Sequence, residues 1–455
     1  AKWARQLGQA YLNVGDLSES YRYLHRALGY LREVWPDKPV ERFVRLVNQM
    51  VRQAYYLLRP PNPNQYDKET RQRMFELTHV YELLAEIHFL SNDPLFTLYA
   101  VMRNLNFANR VGSSPELARA YAFVCTLTSP PWLDWLISLY AKRAVSTARV
   151  SNQKATVARV LALTSLRRIS RGEWAKAEVA LIKSIEICQQ LDDQRQLQEG
   201  HTFLAWVAHR QGDFARSHAL YKGVYESANR RDDMLRKVWG LDGQAMNLLM
   251  MGRDDEAAAL LEDSLEILRE SHDVAEYLNA CAMQIRLAIR RDNWTAAWKY
   301  GQIIRTHVNS TTPLVYSTIQ AYTAVAELAL LSWENNRPLV SGENSWSQIA
   351  KESVNRLDRF AYLLPAEKPR FYLFQGWYQW LNGRQFRAKR IWQKGIQEAR
   401  RLQMPYEEAI IHYQMGRLLP DSNQQRGELL RKALDIFVSL EAQYDVAQTR
   451  NLMNG

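Results

Sequence analysis

Two cysteines, Cys188 and Cys281, stand near His201, His209 and His272 in the sequence. A thiol beside an imidazole is the pair from which a cysteine nucleophile is made. The pair works only where the surroundings favour the thiolate, whereas these cysteines, like Cys125, lie in apolar helical patterns where cysteine serves as small filling. Paired carboxylates at Asp192/Asp193 and Asp254/Asp255 could move protons. Both pairs fall at turns or in first helical turns, where a negative charge stabilises the helix N-terminus. No G-x-x-x-x-G-K-S/T loop is present to cradle phosphates, no G-x-G-x-x-G follows a strand, and neither H-E-x-x-H nor C-x-x-C offers metal ligands. The sequence reads as no enzyme, with no cofactor and no metal.

What remains is binding chemistry. Arg, Trp and Met are favoured where surfaces meet partners, and the candidates are Arg159, Trp206, Trp239, Asp242, Met246, Asn279 and Arg286, together with Arg370, Trp377 and Trp380 in "RFYLFQGWYQW" (370–380). Arg370, Leu373, Trp377 and Trp380 recur at helical spacing and share one face. Trp239 offers a flat anchor and Arg286 a planar cation, so the two are expected to grip one extended segment together. All ten can act only if successive helices turn the same face inward.

A repeat supplies such helices. Gly172 is followed five residues later by Ala177, Gly212 by Ser217 and Gly252 by Ala257, at intervals of 40 residues; Asp292 replaces the glycine in the next unit, with Ala297 behind it. The signature returns as Gly15 with Ser20 and as Gly383 with Ala388. About 14 residues of amphipathic pattern precede each anchor and a similar stretch follows, so each unit is a helical hairpin. The anchor ends the first helix where a Cβ is costly, and the small residue lets the second helix pack closely. A hairpin cannot bury both faces, so the units must stack into an all-α, right-handed solenoid. Leu17, Trp174, Phe214 and Trp294 stand two residues after their anchors and Phe386 three after; the aromatic ones are expected to wedge between hairpins, and the array to be elongated.

In "LGQAYLNVGDLSESYRYLHRAL", Leu7, Gly8, Tyr11, Gly15 and Ala27 stand where a tetratricopeptide repeat has its Leu-Gly, Tyr, hinge Gly and late Ala. This segment resembles that repeat, and the 40-residue units resemble a longer-helixed variant. The block "SNDPLFTLYAVMRNLNFANRVGSSPELARAYAFV" (91–124), the array after it and "KALDIFVSLEAQYDVAQTR" (432–450) are together similar to the helical-repeat portion of large bacterial signalling proteins. In those proteins the repeats follow an AAA-like or STAND-type ATPase module and accompany a nucleotide cyclase, Ser/Thr kinase or histidine kinase. The resemblance implies a sensory or scaffolding role beside an attached ATPase or output domain.

Bulk properties set the remaining bounds. The three prolines of "RPPNPNQYD" (59–67) and the polar "ENNRPLVSGENSWS" (334–347) suggest hairpins over 1–60, a continuous array over 68–333 and further hairpins with a capping helix over 347–455. A net charge of +11 over 455 residues leaves nucleic-acid binding through a basic groove as an unfavoured alternative, since arginine pairs such as Arg167/Arg168, Arg230/Arg231, Arg290/Arg291 and Arg400/Arg401 sit mostly where helices end. Unpaired cysteines fit a reducing cytoplasm, no apolar run reaches membrane-spanning length and no cationic leader is evident. The chain starts at Ala1 rather than Met, which suggests a piece of something longer. The expected partner is a protein or peptide segment, acidic ones included, with a sugar-type small molecule inside the superhelix as the alternative; its identity, the output domain and the oligomeric state stay open.

Overall fold

The computed structural model describes residues 1–36, 39–112, 114–127, 129–269, 271, 273–310, 318–338 and 345–454. Among them are 22 α-helices and no strand. The N-terminal part comprises α1 (Lys2–Val14), α2 (Leu17–Tyr30), α3 (Pro39–Leu58), α4 (Lys68–Leu90), α5 (Pro94–Val111), α6 (Pro115–Val124) and α7 (Asp134–Ser151). The regular units follow as α8 (Lys154–Ser170) with α9 (Trp174–Leu191), α10 (Gln194–Arg210) with α11 (Phe214–Asn229), α12 (Met234–Met250) with α13 (Asp254–Leu268), and α14 (Val274–Arg290) with α15 (Trp294–Ser310). The last are α16 (Ile319–Glu334), α17 (Trp346–Leu363), α18 (Lys368–Leu381), α19 (Gln385–Arg401), α20 (Pro405–Leu418), α21 (Gln424–Ser439) and α22 (Gln443–Asn454). α1 packs on α2, α2 on α4 and α3 on α5; from α4 onward each helix packs on the next, and first helices pack on first helices of the neighbouring unit, as in α8, α10, α12, α14, α16, α18 and α20. This is an α-solenoid of helical hairpins.

The anchors behave as the repeat requires. Gly15, Gly172, Gly212, Gly252 and Gly383 all have φ between 73° and 88°, and Asp292 adopts the same left-handed conformation at 53°. The small residues five positions on, Ser20, Ala177, Ser217, Ala257, Ala297 and Ala388, are all fully buried. In two units the small residue adds a bond: Ser20 Oγ donates to the Gly8 carbonyl at 2.7 Å and Ser217 Oγ to that of Ala205 at 2.8 Å, each tying the second helix to the first. Asp193, Asp233 and Asp273 cap the first helices α10, α12 and α14, and Asp213 the second helix α11, by accepting backbone N–H bonds. Asp93 and Ser114 do the same ahead of Pro94 and Pro115.

The array is not stretched out. Its accessible surface is 20248 Å², modestly above the roughly 17,700 Å² of a compact monomer of this mass. The superhelix winds tightly enough for successive turns to touch: a Cβ on Gly172 would lie 2.5 Å from Leu402, one on Gly212 2.8 Å from Leu440, and one on Gly15 2.9 Å from the backbone of Leu235. Arg210 reinforces the closure, fully buried between Glu367 at 2.9 Å and Glu407 at 3.0 Å.

That contact explains which wedge residues are covered. Leu17, Trp174 and Phe214 are 2–4% exposed because a distant helix end lies over each hinge, and Trp294 is half-buried under Arg337. Phe386, expected to wedge between hairpins, is 77% exposed instead. Nothing lies within 4 Å of a Cβ built on its anchor Gly383, so no turn covers that hinge among the described residues.

The proline-rich stretch after α3 forms a short 3-10 turn at Pro63–Gln65, and Pro63 touches Gly112. Residues 339–344 of the polar break at 334–347 lie outside the described residues; α16 and α17 on either side of it pack together. No described helix is long and apolar enough to cross a membrane.

Candidate interior binding site

The first helices do turn one face inward, but the touching turns enclose that face. Two adjoining cavities result. The larger, about 680 Å³, lies between α12, α14, α16, α18, α20 and α22, and Met246, Arg286, Arg370 and Trp377 of the expected residues line it. The smaller, about 120 Å³, is lined by Arg159, Trp206, Trp239, Asp242, Met246 and Asn279. Met246 and Gln320 belong to both walls. Trp239 and Arg286, expected to grip one segment, therefore face different spaces. Trp380 lines neither: its ring packs on Trp392 of α19 at 5.8 Å, within the hairpin rather than inside the superhelix.

Polar residues of the larger cavity are held in place from behind. Arg286 donates to Gln320 at 2.8 Å and Thr323 at 3.1 Å, with Glu327 at 3.5 Å. Arg370 Nε donates to Glu407 at 3.1 Å while its Nη1 has no partner. Trp377 donates from Nε1 to Glu334 at 2.7 Å and carries the Arg417 guanidinium over its ring at 5.1 Å. Tyr406 donates to Asp445 at 3.3 Å, and burial pushes the Asp445 carboxyl up to about 7. Arg290, against the Tyr444 ring at 3.5 Å, is anchored to Asp254 at 2.5 Å. The result is a preorganised wall of cations, carboxylates and aromatic faces.

Tyr406 and Glu407 of α20 and Tyr444 and Asp445 of α22 lie outside the sequence frame, because neither α20, which ends at Leu418, nor α21 is followed by a left-handed glycine from which to count. Glu276 of the smaller cavity was within reach of it, lying three residues before Asn279 on the same helix face.

The nucleophile and acid–base readings find no support in this geometry. Burial pushes the Cys188 thiol up to about 11 and that of Cys281 up to about 12, away from the thiolate a nucleophile needs. His209 is buried, pushed down to about 3 chiefly by desolvation, and its Nδ1 is committed to Asn247 at 2.9 Å. His272 lies outside the described residues. Asp193 is the N-cap of α10, while Asp254 and Asp255 pair with Arg290 and Arg291 of the neighbouring hairpin. Among the described residues no group of three His, Cys, Asp or Glu side chains is disposed to hold a metal ion.

No protein-family model matches the chain, and no curated protein matches it. Among solved structures, a circular tandem repeat protein with novel repeat topology and enhanced subunit contact surfaces aligns with all of this chain and 97% of its own, at 14% identity and a TM-score of 0.15. At those values the likeness carries no argument, and the fold assignment rests on the helices themselves.

Proposed function

We propose that this chain is a non-catalytic binding module that receives a short protein or peptide segment inside its superhelix, as the scaffold or sensor part of a bacterial signalling protein. The observation that carries the reading is the 680 Å³ cavity, whose walls combine Arg286, Arg290, Arg370 and Arg417 with the faces of Trp377, Tyr406 and Tyr413. Arg370 keeps a guanidinium nitrogen without a partner, which suits a ligand carboxylate. An acidic segment is the matching partner. The link to an attached ATPase or output domain, and a cytoplasmic setting, come from the resemblance of the repeats to those of AAA- and STAND-type proteins.

A second reading is favoured by the enclosure. A volume of this size lies within the range of roughly 300–1,000 Å³ that small-molecule sites occupy, so a sugar-type ligand stacked on the aromatic faces is the alternative. Isothermal titration with short peptides rich in Asp and Glu, and separately with linear glucans such as maltotriose, distinguishes the two. The peptide reading expects saturable binding that Arg370→Met and Arg286→Met weaken by about tenfold or more. Binding of the glucan alone transfers the assignment to the second reading, and binding of neither removes the larger cavity as a ligand site.

A further inference from the structure

The smaller cavity has a composition that the larger one does not. At one end Asp242 of α12 and Glu276 and Asn279 of α14 face the same space. Asp242 is 4% exposed, and neither of its carboxylate oxygens accepts a well-formed hydrogen bond; the Ser264 hydroxyl is its nearest polar support. Asn279 is 6% exposed, spends its amide on Glu276 at 3.2 Å and leaves its Oδ1 without a donor. A buried acceptor left without a donor costs about 1–3 kcal/mol, so these atoms favour a guest that brings donors. Around them stand the rings of Phe203, Trp206, Tyr221 and Trp239.

The cation on the opposite wall does not answer this need. Arg159 is engaged by Glu199 and, at 3.6 Å, by Glu86, which also holds Arg195. That end is charge-compensated, whereas no arginine or lysine contributes to the electrostatics of Asp242, Asp273 or Glu276. Acceptors without donors, framed by aromatic faces, are what an ammonium group recognises: it brings hydrogen-bond donors for the oxygens and positive charge for the ring faces.

We propose that this cavity binds a small organic cation, a primary or methylated amine, with its nitrogen against Asp242, Glu276 and the Asn279 Oδ1 and its carbon body against Trp206 and Trp239. Size restricts the guest. An apolar protein cavity of roughly 150 Å³ accepts benzene, so about 120 Å³ admits an amine of about five non-hydrogen atoms. Met246 and Gln320, in contact at 3.5 Å, stand between this site and the larger cavity.

Binding must be coupled to proton release. Burial, foremost, raises Asp242 to about 8 and Asp273 to about 7 and holds Glu276 well above the usual carboxylate range. The other titratable neighbours, Tyr221 and Cys281, are themselves pushed upward and stay neutral, and Arg159 stays charged in its ion pairs. A cation entering at pH 7 therefore displaces a proton from the carboxyl group it meets.

The test is calorimetric titration of the whole chain with n-butylammonium and tetramethylammonium, using 1-butanol as the neutral control, in two buffers of different ionisation enthalpy. The expected result is one site, proton release on binding, affinity that rises between pH 6 and pH 8.5, and at least about tenfold weaker binding of the alcohol. Asp242→Asn and Glu276→Gln should each lose about tenfold or more while keeping the helical circular dichroism, and Arg370→Met, in the other cavity, should leave amine binding unchanged. Equal binding of amine and alcohol, binding of potassium or sodium in place of the amine, or no binding of either ammonium probe overturns the proposal. Retained amine binding in a folded Asp242→Asn, Glu276→Gln double variant overturns it as well.

Discussion

Trp174 donates its indole Nε1–H to the main-chain carbonyl of Leu402 at 2.5 Å, across 228 residues of sequence. The bond ties the hinge of one hairpin to the end of a helix a full superhelical turn later. It also separates two aromatic residues at the hinges, Trp174 two residues after Gly172 and Phe386 three after Gly383: Trp174 is 2% exposed and Phe386 77%.

Replacing Trp174 should therefore weaken the whole molecule. Trp174→Ala removes packing and bond together and should cost about 3–5 kcal/mol, while Trp174→Phe, losing chiefly the hydrogen bond, should cost about 0.5–1.5 kcal/mol. Phe386→Ala should stay within about 0.5 kcal/mol. Urea unfolding followed by circular dichroism measures all three, and a Phe386→Ala cost as large as that of Trp174→Ala would contradict turn-to-turn stacking.

Two glycines isolate the contact from the backbone. Gly172 and Gly383 have φ of 73° and 75°, but a methyl group on Gly172 meets Leu402 at 2.5 Å while one on Gly383 meets nothing. Gly383→Ala should cost only the left-handed conformation, about 1–2 kcal/mol. Gly172→Ala should cost more, and the excess should vanish in a Leu402→Ala background, as a double-mutant cycle reports. An excess that survives in that background would place the strain elsewhere.

The position five after each anchor is the closest approach inside a hairpin. Ala257→Leu should overpack it and cost about 1–3 kcal/mol, whereas Glu262→Ala on the exposed side of α13 should cost about 0.5 kcal/mol or less. Similar thermal unfolding of the two variants would refute this register.

Asp242 makes stability depend on pH in the direction opposite to an ordinary paired carboxylate. Its folded value of about 8 lies above the unfolded 3.8, so the folded chain holds a proton that the unfolded chain releases. Stability is full below the unfolded value and falls as pH rises towards 8. Relative to the parent, Asp242→Asn should be nearly neutral at pH 4 and stabilising at pH 8 without added amine. A variant equally less stable at both values would show that the carboxyl is ionised and partnered.

The chain should hydrolyse neither ATP nor GTP, having no phosphate-cradling loop. Turnover that copurifies with the chain and is abolished by substituting one of its residues would defeat this.

The hairpins were legible because their causes are local: the left-handed anchor, the small residue five later and the Asp cap all act within one unit. The same frame set Trp206, Asp242, Asn279 and Arg370 on the inner face. It failed where a cause lies a superhelical turn away. The covering of Trp174 by Leu402, the exposure of Phe386 and the division of the interior at Met246 and Gln320 depend on superhelical pitch, which accumulates from small rotations between units and leaves no periodic mark. Tyr406, Glu407 and Asp445 entered the site by that route.

Turn-to-turn stacking also bears on how such a chain can change its length. Open solenoids gain and lose single repeats readily, since each touches only its neighbours. Here Gly172 meets Leu402 and Gly212 meets Leu440, so duplicating or deleting one hairpin between them would bring the wrong residue over every earlier hinge and separate Arg210 from Glu367. Length variation should be confined to the ends of the array, or occur in steps of one whole superhelical turn.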